Sequence, residues 1–117
     1  MPNSETRLVT TTISPQALKA LAEQRFGDMV KGVIDVQTGA LVLGGELHAD
    51  QEAVLLQNGA EQADLWGFNI YVDEPFPSNI EFDSMINIRP SHNNRSRTVE
   101  DPAIQQQILG WLQKKIC

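Results

Sequence analysis

Between Leu65 and Asp73 apolar and polar side chains alternate: Trp66, Phe68, Ile70 and Val72 fall on one side of an extended chain, and Asn69, Tyr71 and Asp73 on the other. A second alternation runs from Ile80 to Arg89. There Ile80, Phe82, Ile86 and Ile88 oppose Glu81, Asp83, Asn87 and Arg89, with Met85 the apolar exception on the polar side. A helix repeats every 3.6 residues and cannot sort such a pattern, whereas two strands can. The segment between them, Glu74-Pro75-Phe76-Pro77-Ser78-Asn79, is a proline-stiffened connection. Strands of this kind need one covered face and tolerate one open face, which points to a largely antiparallel sheet. The apolar set is expected to meet helices, and the polar set to face solvent, a ligand or a second subunit.

The remaining elements fit around that hairpin. Leu8 to Ile13 is rich in β-branched residues and stops at Ser14-Pro15, which is a helix start: a hydroxyl cap followed by proline at the first helical position. Leu18, Leu21, Ala22 and Phe26 then recur at helical spacing until Gly27. Met29 to Val36 and Ala40 to Leu47 read as two strands joined through Gln37-Thr38-Gly39. Ala49 to Gln57 reads as a helix ending at Asn58-Gly59. After a polar loop over residues 90–99, Asp101-Pro102 opens a last helix with Ile104, Ile108, Trp111 and Leu112 as its apolar stripe. The expected class is α+β, about five strands in β-α-β-β-α-β-β-α order with the helices mainly on one face. The 117 residues suffice for one core, so residues 1–117 are read as a single domain.

Charge narrows the function. Nine Lys and Arg against fifteen Asp and Glu give a net charge of -6, the wrong balance for gripping duplex nucleic acid. No stretch approaches the roughly 18 apolar residues of a membrane-crossing helix, and Met1 to Arg7 does not resemble an export signal. The single cysteine, Cys117, allows no intrachain disulfide and no cysteine-rich zinc site. The expectation is therefore a cytoplasmic protein without a membrane partner. Within the chain the charge is uneven. No Lys or Arg lies between Lys31 and Arg89, an interval that holds ten Asp and Glu.

Two constellations carry chemistry. Arg89-Pro90-Ser91-His92-Asn93-Asn94-Arg95-Ser96-Arg97 concentrates guanidinium, amide and hydroxyl donors on one loop. Arg89, Arg95 and Arg97 with Asn94 are the candidate grip for a small anion or an acidic partner segment. The competing account is that these arginines pair with Glu81, Asp83, Glu100 or Asp101 and fasten the loop. The second constellation, Glu46, His48 and Asp50 at i, i+2 and i+4, would share one side of an extended chain. Helped by Glu81 or Asp83, it could hold a divalent metal for hydrolysis. A plainer reading makes Asp50 a helix-start carboxylate. His48, Asp50 and His92 match an iron triad only in composition, since the barrel that usually carries it needs a longer chain. No phosphate-loop or G-x-S-x-G pattern is present. A third expectation is assembly into a homodimer through an edge strand or the last helix.

Arg25-Phe26-Gly27-Asp28-Met29-Val30-Lys31, Gly44-Gly45-Glu46-Leu47-His48-Ala49-Asp50 and Leu65-Trp66-Gly67 carry a family likeness. It continues through residues 81–90, Asn94-Arg95-Ser96-Arg97 and Val99-Glu100-Asp101-Pro102. In these segments the chain resembles a family of short prokaryotic proteins catalogued only as a domain of unknown function. The resemblance implies a stand-alone domain and brings no functional residue with it.

Overall fold

The computed structural model describes residues 6–117. Its regular elements are β1 (Arg7–Val9), α1 (Pro15–Arg25), β2 (Met29–Asp35), β3 (Leu41–Leu43), α2 (His48–Gln57), β4 (Leu65–Tyr71), β5 (Ile80–Glu81) and α3 (Pro102–Lys115). Single turns of 3-10 helix occupy Gln62–Asp64, Met85–Asn87 and Pro90–His92. The five strands form one sheet in the order β1-β3-β2-β4-β5, and every neighbouring pair is antiparallel. The α+β class and the order of elements are as expected.

Local chemistry explains most boundaries. Ser14 Oγ accepts a hydrogen bond from Ala17 N at 3.1 Å, and Asp101 Oδ1 accepts one from Ala103 N at 2.9 Å, each just ahead of a proline. At the β2–β3 turn Asp35 Oδ1 accepts from Gln37 N, and Gly39 sits at φ +80°. A side chain on Gly39 would strike the ring of Trp111 at 2.5 Å. The same indole donates from Nε1 to Val36 O at 3.0 Å, tying α3 to the hairpin. Strand β3 is shorter than expected because Gly44 and Gly45, at φ +91° and +96°, turn the chain toward α2. Strand β1 ends at Val9, and Ile13 instead bridges Ile116 in parallel.

The sheet carries a helix pair on one side and a single helix on the other. Val30 and Ile34 of β2, Leu41 and Leu43 of β3 and Trp66, Phe68 and Ile70 of β4 bury against Leu18 and Ala22 of α1 and Ile108 and Leu112 of α3. Val33, Val42 and Leu65 face the other way and pack with Leu55 of α2. Among the described residues no helix is long and apolar enough to cross a membrane.

That second layer corrects the expectation of an open polar face. Asn69, Asn87 and Arg89 are buried, while Asp73 and Glu81 are exposed and Tyr71 and Asp83 lie between. The reason is that the alternation over residues 80–89 does not run as one strand. Strand β5 ends at Glu81, and the chain bends through Ser84, whose N donates to Arg97 O at 3.0 Å. Residues beyond it fold over the sheet beside α2. Ile86 therefore joins the α2-side cluster rather than the face occupied by Phe82, and Ile88 and Met85 are exposed.

Candidate functional site

A cleft of about 190 Å³ opens where the first turn of α2 meets the bend after β5. Lys31, Leu47, His48, Asn69, Asp83 and Arg97 line it, with Met85 and Ile86 on its apolar side. The β2–β4 register sets Lys31 directly opposite Asn69, and the turn at Gly44-Gly45 delivers His48 above the same strand. Leu47 is the residue that precedes α2, and its side chain holds no acceptor to cap the first-turn amides.

His48 is buried, with Nε2 at 2.8 Å from Phe68 O. A carbonyl only accepts, so Nε2 carries the proton and Nδ1 is bare in the neutral ring. Burial holds the His48 pKa below the usual histidine value; the Phe68 carbonyl and the Asn69 amide oppose this, and the charge of Lys31 adds to it. Asn69, 6% exposed, donates from Nδ2 to Glu81 Oε1 at 2.9 Å and more weakly to Asp83 O at 3.4 Å. Its Oδ1 is near enough to the His48 ring to favour the charged imidazolium, yet meets no donor in hydrogen-bond geometry among the described residues. Arg97 Nε donates to Asp83 Oδ1 at 2.6 Å, with both side chains about half exposed. The ammonium of Lys31 stands 5.4 Å from the ring centre of Phe26.

The expected anion grip is not assembled as the loop sequence suggests. Arg89 is drawn under α2, where its guanidinium donates to Leu65 O and Ala63 O, approaches Glu52 Oε2 to 3.9 Å and stacks 4.8 Å from the ring centre of Trp66. Burial lowers its pKa from the ordinary arginine value, against the pull of Glu52 and Asp64. Asn94 is spent inside the loop: Nδ2 reaches Asn87 O, Ser96 O and Thr98 O, and Oδ1 accepts from Glu100 N. Arg95 is exposed, its backbone N held by Glu100 Oε2 at 3.0 Å. Of the three arginines only Arg97 reaches the cleft.

The metal constellation is corrected as well. Glu46 is exposed and pairs with Arg25 at 3.1 Å, His48 points into the protein, and Asp50 lies in the first turn of α2. The i, i+2, i+4 spacing places side chains together only on a strand, and here it spans a turn and a helix start. Of Glu46, His48, Asp50 and Asp83, only His48 and Asp83 line the cleft, and Asp83 is already paired with Arg97. Among the described residues no three His, Cys, Asp or Glu form a group that could hold a metal ion. Lys31 and Asn69 were the residues missed. Both lie on polar strand faces in the sequence, but their partnership depends on strand register, which no local pattern encodes.

The fold and cleft define a small α+β domain with one side-chain-lined recess at a helix start. The chain belongs to the family described as "Protein of unknown function (DUF5674)", which matches residues 7–114. No curated protein and no solved structure matched the chain.

Proposed function

We propose that the protein is a binding domain that holds a small anion in the cleft at the start of α2. The observation that supports this reading is the convergence of two cations, Lys31 and Arg97, on a recess lined by a helix start whose amides are not capped by a side chain. Arg97 uses one of its five N–H groups on Asp83, which orients the guanidinium without exhausting it. The chain as a whole is acidic, at -6, so long-range attraction works against an anion and the local donors must supply the affinity. The volume suits a compact ligand, since it falls below the roughly 300 Å³ at which sites for drug-sized molecules begin. A reducing compartment such as the cytoplasm suits the exposed free thiol of Cys117.

Calorimetry and amide-shift mapping with phosphate, sulfate and acetate test the reading. Saturable binding that shifts Lys31, His48 and Ala49, and that weakens about tenfold in Lys31→Gln and in Arg97→Gln, is the expected result. Shifts confined to Arg95 and the 90–96 loop, or no saturation with any anion, would overturn it.

A further inference from the structure

Resting on that reading, we infer that the cleft takes a small carboxylic acid bearing a hydroxyl or amide N–H, whose acid group meets Lys31 and Arg97 and whose donor meets Asn69 Oδ1.

The argument starts from the orientation of Asn69. Its Nδ2 faces two acceptors, Glu81 Oε1 and Asp83 O, so turning the amide over would set an oxygen against both. Oδ1 is thereby fixed as an acceptor. It is buried in a residue 6% exposed that lines the cleft, and it has no hydrogen-bond partner among the described residues. A buried acceptor left without a donor is costly, and the neighbouring groups have their donors engaged elsewhere. His48 Nε2–H is directed at Phe68 O, Arg97 Nε–H at Asp83, and the ammonium of Lys31 lies over Phe26. Asp83 brings only acceptors.

The recess is therefore divided, with cations and helix amides for a negative group, and an unpaired acceptor for a neutral donor. A plain monocarboxylate satisfies the first part and leaves Asn69 Oδ1 bare. An acid with an adjacent O–H or N–H satisfies both. A neutral donor suits the site better than an ammonium, because Lys31 already lines the recess and the Asp83 carboxylate is held by Arg97. The size agrees: about 190 Å³ corresponds to roughly six waters at their liquid volume, enough for a hydroxy acid of a few carbons.

Matched pairs test this on the full chain at pH 7: acetate against glycolate, and propionate against lactate, by calorimetry and by the side-chain amide resonances of Asn69. Glycolate and lactate should bind at least tenfold more tightly than their partners and shift the Asn69 side-chain signals. Asn69→Leu should erase that preference; if the variant does not fold, the wild-type pairs and the Asn69 signals decide alone. Equal affinity within each pair would overturn the inference, with water serving Oδ1, while leaving the anion site in place. If none of the four acids binds and phosphate and sulfate also fail, the anion site itself is overturned and the inference with it.

Discussion

Asn87 pairs its side-chain amide with the backbone of Gly67: Oδ1 accepts from Gly67 N at 2.8 Å, and Nδ2 donates to Gly67 O at 3.0 Å. One side chain thus stands in for a strand residue along the part of β4 that β5 does not reach. Two residues away Arg89 continues the substitution by donating to Leu65 O. The outer edge of β4 is closed by side chains where the neighbouring backbone has departed.

Removing that amide should be expensive. Asn87→Ala strands a buried N–H and a buried C=O, and each costs about 1–3 kcal/mol. Part of the loss is recovered by relaxation, so we expect about 2–4 kcal/mol of destabilisation. Urea unfolding measures it directly, and a loss under 1 kcal/mol would show that water replaces the amide at the strand edge.

The arginines should separate into two kinds. Arg89→Lys loses the forked contact to backbone carbonyls and the stack on Trp66, so stability should fall by about 1–3 kcal/mol while anion binding in the cleft is unchanged. Arg97→Gln breaks only a half-exposed pair with Asp83 and should leave stability within about 1 kcal/mol. Its effect belongs in the binding isotherm. Denaturation and titration of both variants check the assignment, and a reversed pattern refutes it.

Tyr71 and Phe68 sit on one strand with different burdens. The Tyr71 hydroxyl donates to the exposed Glu81, a bond that raises the phenol pKa, whereas Phe68 is fully buried between β4 and the α1/α3 layer. Tyr71→Ser should cost within about 1 kcal/mol and Phe68→Ala about 3–5 kcal/mol. Phe82 is only partly buried, so Phe82→Ala should fall between them. Comparable losses for Tyr71→Ser and Phe68→Ala would mean the strand faces are wrongly assigned.

Stability should depend on pH through His48. Burial lowers its pKa in the folded chain below the value of about 6.5 that it has when unfolded. Between those two values the unfolded state binds more protons, so stability falls as pH drops below about 6.5 and levels off once the folded pKa is passed. Melting temperatures of wild type and His48→Gln at pH 7.5 and 5.5 isolate the contribution. The difference between the two proteins should shrink toward acid pH, because the variant has no proton to accept.

How far these features could be read in advance depends on their range. Ser14-Pro15, Asp101-Pro102 and Gly39 act within three residues of themselves, and the elements they start or turn appeared where expected. The period-2 pattern of β4 also survived, because Trp66, Phe68 and Ile70 all face one layer. Residues 80–89 show the same period and fold otherwise. Alternation records which side chains are apolar, and it cannot record that Asn87 and Arg89 bond to β4 better as side chains than as strand backbone. The site was legible by residue type and not by grouping. His48, Asp83 and Arg97 all stood out in the sequence, but under two separate chemistries. What joins them is the β2–β4 register and the bend after Glu81, both set by contacts far apart in the chain.

The bridge between Ile13 and Ile116 closes the molecule in time as well as in space. Ile13 N donates to Lys115 O at 2.7 Å and Cys117 N donates to Ile13 O at 3.1 Å, so an early segment waits for the last residues to be made. A nascent chain that stops before α3 can pair its strands, but Phe68, Leu41 and Ile34 lack the helix that helps shelter them. During synthesis the sheet is a sticky intermediate that depends on completion for its solubility. A message truncated near its end yields a polypeptide that is nearly full length and marked for destruction by its own uncovered core.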